Sequence, residues 1–99
     1  MMTVVTRIRL REGTESAWDE AFRRRIADVR AQPGWIGVQL GVPADAPSER
    51  VVIGTWERRE DWEAWHATPA FRDTREAMEA AEAGDHHETW HEVALDEHR

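Results

Sequence analysis

Trp56, Trp62 and Trp65 fall within ten positions of one another, and His66 follows the last of them. Flat indole rings make a surface on which a planar aromatic compound stacks, each with an N–H that needs a partner. An imidazole beside such a surface is placed to take a proton from whatever binds there, because its ordinary pKa lies near neutrality. Arg75 stands one helical turn from both Phe71 and Met78, on what reads as the inward side of a helix. A guanidinium there would steady a phenolate or a developing oxyanion by a charge-assisted hydrogen bond. Each residue also has a purely structural reading. Trp56 ends a strand and suits a core or a dimer contact. Trp62 and Trp65, three apart on one helical face, would simply cover a sheet. Arg75 would pair with a carboxylate such as Glu57 or Glu79, and His66 would lie on a helix surface.

Other chemistry is thinly represented. His86, His87, His91 and His98 crowd the C-terminal segment, and His87 and His91 are four apart. That spacing suits a metal on a helix, but this segment reads as a strand and no carboxylate set accompanies it, so no metal is expected. The run Arg23-Arg24-Arg25 reads as a solvated helix face beside Asp19, Glu20 and Asp28. Cysteine is absent, which excludes disulfides, thiolate nucleophiles and thiolate-held metals. No GxGxxG, phosphate-binding loop, GxSxG or HExxH pattern occurs. The formal net charge of −7 argues against a nucleic-acid surface. The N-terminal apolar run is interrupted by Arg7, Arg9 and Arg11 and lacks a cleavage site, and no window is long enough to span a membrane. A cytoplasmic location is expected.

Seven elements must position these residues. Thr3 to Leu10 alternates, with Val4, Thr6, Ile8 and Leu10 on one face, and reads as a half-buried strand. Thr14 is a candidate N-cap for a helix to Ala31, whose apolar stripe is Trp18, Phe22, Ile26 and Val29. Pro33-Gly34 ends that helix. Trp35 to Val42 alternates again, with Ile36, Val38 and Leu40 opposite Trp35, Gly37 and Gln39, and a Pro-rich loop leads to a strand from Arg50 to Trp56. A short helix from Glu60 to about Ala67 follows, Pro69 opens another, and Gly84-Asp85 breaks it. His87 to Leu95 reads as a last strand. With 99 residues there is room for one domain, 1–99. The order β–α–β–β–α–β implies an α+β, ferredoxin-like antiparallel sheet with helices on one face. Its other face needs a cover, which a second copy packed sheet to sheet would supply.

The strand VVTRIRLREGT, the Pro33–Trp35 turn and above all TWERREDWEAWHATPAFRDTREAM carry a resemblance to the antibiotic biosynthesis monooxygenase family of small dimeric α+β barrel proteins. It covers nearly the whole chain, and it implies a homodimer and one pocket per subunit. One branch of the family degrades haem with an Asn, a Trp and an axial His. Those positions fall on Thr6, Trp65 and Arg75, so only the Trp is kept and the haem cofactor is disfavoured. A second branch, the cofactor-free monooxygenases of aromatic polyketide pathways, is matched at Trp56, Trp62 and Arg75. It is not matched at Val52, where a polar residue is usual.

The resemblance therefore implies a cofactor-independent monooxygenase oxidising a planar, electron-rich, anthrone- or quinol-like aromatic. Arg75, Trp65 and His66 are its expected catalytic residues, and Trp56, Trp62, Thr6 and Phe22 its substrate-binding residues. The alternatives are a non-catalytic small-molecule-binding domain, or a haem protein with altered ligation through His66.

Overall fold

The computed structural model describes all residues from 1 to 99. β1 (Met2–Arg9) leads to helix α1 (Glu15–Val29), then to β2 (Trp35–Gly41) and β3 (Glu49–Trp56). Two helices follow, α2 (Arg59–His66) and α3 (Pro69–Ala81), and β4 (His87–Glu92) closes the fold. The four strands form one antiparallel sheet in the order β2-β3-β1-β4. This is the expected α+β, ferredoxin-like arrangement, with the second helical segment split in two. The split follows from Thr68-Pro69. Proline disfavours a helical conformation in the residue before it and is at home at a first helical position. Thr68 caps the new helix by accepting a hydrogen bond from the Phe71 N–H at 3.3 Å.

One face of the sheet carries Val4, Ile8, Val52 and Trp56, and α1 and α3 pack across it. Two apolar clusters result. Ile8, Leu10, Trp18, Ala21, Phe22, Met78 and Ala81 fill one end. Val29, Trp56, Trp65 and Phe71 fill the other, and Ile26 touches both.

Four details depart from expectation. The alternation of β2 slips at Ile36, because a bulge between Trp35 and Gly37 leaves Ile36 without a partner. One extra residue reverses every side chain before it, so Trp35 joins Val38 on the covered face while Ile36 is exposed. Thr14 does not cap α1 with its side chain. Its hydroxyl lies within hydrogen-bonding distance of the carbonyls of Arg11 (2.6 Å) and Ala81 (3.1 Å), which ties the start of α1 to the end of α3. β4 stops at Glu92, leaving Leu95 exposed beyond it. Finally, Asp19 is not part of a free charged face: it receives two hydrogen bonds, 2.9 and 3.1 Å, from the buried guanidinium of Arg50.

Candidate active site

Between the sheet and the helices lies a cavity of about 140 Å³. β1 contributes Val4, Thr6 and Ile8 to its floor, β3 contributes Val52, Gly54 and Trp56, and the bulged start of β2 adds Trp35. α1 forms one wall with Trp18, Phe22, Arg25, Ile26 and Val29; α2 forms another with Trp62, Trp65 and His66; Phe71 and Met78 come from α3. Five of the six tryptophans therefore line one space. The sixth, Trp90 of β4, meets Trp62 edge to face at 4.9 Å and stiffens it from outside. A more polar recess adjoins the cavity. It shares Arg25, His66, His86 and Glu88 with it and adds Arg75, Glu79 and Glu82.

His66 is held by three contacts. Its Nδ1 lies 2.8 Å from the Trp62 carbonyl, which can only accept, so Nδ1 carries the proton and donates. Its ring lies 3.8 Å from that of Trp62 and 4.1 Å from that of Phe71, centroid to centroid. Nε2 is left as a lone-pair site. Burial pushes the imidazole below its ordinary pKa, with Arg25 and Arg75 adding to the effect, while the bond to Trp62 and the charge of Glu88 oppose it. His66 is therefore neutral at pH 7, the state a general base requires.

Arg75 is not on the inward side of α3. Its side chain is 59% exposed and pairs with Glu79 one turn on, at 3.2 Å. Positions 71, 74, 78 and 81 make the buried stripe, and 75 lies just outside it. The cation inside the cavity is Arg25, from the run expected to be solvated. Its Nε donates to Thr74 Oγ1 (2.9 Å), one Nη to the Phe71 carbonyl (3.3 Å), and its Cζ sits 4.0 Å over the Phe71 ring. Burial lowers its pKa to about 10, so it stays charged at neutral pH. The sequence held a sign of this: Arg25 is three residues from Phe22 and four from Val29, on the stripe that Trp18 begins.

The other expected residues, Trp56, Trp62, Trp65, His66, Thr6 and Phe22, all face the same cavity. His87 and His91 lie on β4, and no group of three metal-ligating side chains occurs. No helix is long and apolar enough to cross a membrane.

The sequence pattern of the antibiotic biosynthesis monooxygenase family matches residues 1–77. No curated protein matches the chain. Among solved structures, it is similar to SnoaB of Streptomyces nogalater, described as a cofactor-independent oxygenase. The two share 24% identity and a TM-score of 0.81 over 97% of each chain. Rv0793 of Mycobacterium tuberculosis shares 22% identity over 97% of this chain and 96% of its own, with a TM-score of 0.82. A Nitrosomonas europaea protein carrying the family's name shares 18% identity over 96% and 100%, with a TM-score of 0.88. At these identities the likeness bears on the fold.

Proposed function

The chain belongs to the antibiotic biosynthesis monooxygenase family, and from that premise we propose that it is a cofactor-independent monooxygenase. Its substrate on this reading is a planar, electron-rich aromatic of the anthrone or quinol type. The observation that carries this is a neutral imidazole and the half-buried guanidinium of Arg25 on one tryptophan-walled cavity. Apolar cavities of about 150 Å³ take up a benzene ring, so the enclosed part suits the reacting ring and the adjoining recess the rest.

Trp56, Trp62 and Trp65 hold the ring plane, with Phe22 and Thr6 on the wall and floor. His66 Nε2 removes a proton from the substrate. Arg25 stabilises the resulting anion, a part first expected of Arg75, which lies too far out. The electron-rich anion passes electrons to O2 and becomes a peroxide, which takes the proton back from His66 to give the hydroperoxide and leave His66 neutral. Loss of water leaves a carbonyl, so a CH2 group plus O2 gives C=O plus H2O. No cofactor enters this balance.

An oxygen electrode with anthrone tests the reading. Wild-type protein is expected to consume O2, and Arg25→Gln to lose about 100-fold or more of that rate. Absence of uptake by wild type with anthrones and hydroquinones alike would sink it. Haem binding is the second reading, favoured by the lone pair of His66 Nε2. Arg75 in place of a ligating His and the small enclosed volume weigh against it, and a hemin titration followed at the Soret band decides it.

A homodimer and a cytoplasmic location belong to the same proposal. Val5, Val51 and Ile53 lie on the sheet face that no helix covers and are only half-buried, which supports a second copy as the cover. The absence of cysteine fits a reducing compartment.

A further inference from the structure

His86 lines the same cavity and recess as His66 but in a contrasting setting. Its Nε2–H donates to Glu82 Oε1 at 2.7 Å. The other carboxylate oxygen of Glu82 receives the indole N–H of Trp18 at 2.9 Å, and the carboxylate is itself buried. The segment joining α3 to β4 is pinned to β1, since Ala83 N–H donates to the Arg9 carbonyl and Arg11 N–H to that of Ala81, both at 2.8 Å. A carboxylate so fixed orients an imidazole and favours its charged form. Both residues lie past residue 77, where the match to the family pattern ends.

We propose that His86, oriented by the buried Glu82, is the proton donor of this cavity, acting when the substrate hydroperoxide collapses to the carbonyl product and water. The inference rests on the monooxygenase reading above. In the step, the C–H proton of the hydroperoxide carbon passes to His66 Nε2 and its electron pair forms the C=O bond. The O–O bond breaks, and the departing hydroxide takes the proton of His86 to become water. Solvent then returns His86 and His66 to their starting states.

Electrostatics support the division of labour. The hydrogen bond to Glu82 holds His86 above the ordinary imidazole pKa, aided by the charges of Glu82 and Glu88, while burial and Arg25 oppose it. Burial pushes Glu82 up, but the bonds from His86 and Trp18 outweigh it and keep the carboxylate charged. His66 on α2, and Arg75 and Glu79 on α3, complete the titratable groups around the recess. Two imidazoles on one cavity, one pushed toward its neutral form and one toward its charged form, suit a base and an acid.

The test follows anthrone oxidation by the full chain with three readouts: O2 uptake, quinone absorbance, and peroxide by ferric–xylenol orange. His86→Gln is expected to keep O2 uptake, lose about 100-fold in quinone formation and accumulate hydroperoxide. Glu82→Gln, a positioning change, is expected to move the alkaline fall of quinone formation to lower pH. Quinone formation by His86→Gln at the wild-type rate overturns the proposal, as does a parallel loss of uptake and quinone without peroxide, or an unmoved alkaline limb in Glu82→Gln. If wild type itself consumes no O2, the monooxygenase reading fails and this proposal with it. If wild type turns over and only the His86 results fail, the monooxygenase reading stands.

Discussion

At the scale of single residues, His66 ties stability to pH. Its pKa in the folded chain lies below the ordinary value, so the unfolded chain binds the proton more readily. The unfolded state then carries more protons between the two values, and stability rises with pH across that window. As pH drops below about 6.5, the ordinary imidazole value, wild type is expected to lose stability relative to His66→Gln. Urea denaturation at pH 7 and pH 5 measures the difference, and equal losses in both proteins would refute it. The same protonation removes the proposed base, so kcat/KM should fall on the acid side, and His66→Gln should lack that limb along with most of the activity. Arg25 adds a lesson in helical geometry. It sits in a run of three arginines, two of which are exposed, and only its place on the apolar stripe sets it apart.

At the scale of elements, the place of His66, the proposed base, depends on how α2 docks. Gly34 turns the chain from α1 into β2 with φ near +80°, and Asp61 in the first turn of α2 packs directly against its Cα. A Cβ at Gly34 would run into the Asp61 carboxylate as well as straining the backbone. Gly13 has a similar φ of about +87° but open space around it. Gly13→Ala should therefore cost only the backbone term, about 1–2 kcal/mol. Gly34→Ala should cost measurably more in urea melts, and should lower activity by shifting α2 with His66 and Trp62. Equal costs would show that Asp61 gives way freely. The β2 bulge works at the same scale: it delivers Trp35 to the cavity at the cost of exposing Ile36.

At the scale of the molecule, the sheet has one face under helices and one without. Ile53 lies opposite Val5 on β1 at the centre of the uncovered face. Interfaces between stable partners bury roughly 800 Å² on each, and a charge set in the middle of one without a partner is costly. Ile53→Arg is expected to give a monomer in sedimentation where wild type is a dimer. A monomeric wild type at micromolar concentration would remove the sheet-to-sheet proposal.

The sequence by itself determined the element order, the covered face of β1, the helix start at Pro69 and the cluster of rings around His66. These follow from local rules: period-two and helical alternation, proline's fixed φ, and spacing along one helix. It placed Arg75 inward because residues one turn away on either side are apolar. The face of a helix that points inward depends on where the neighbouring elements lie, and α1 and β4 leave 75 at the rim. Only the tertiary structure decided that Arg25 is the cation on the cavity wall, that Trp35 changes face, and that Glu82, Trp18 and His86 form one network. Those contacts join residues as many as 64 positions apart, and no spacing rule along a chain reaches that far.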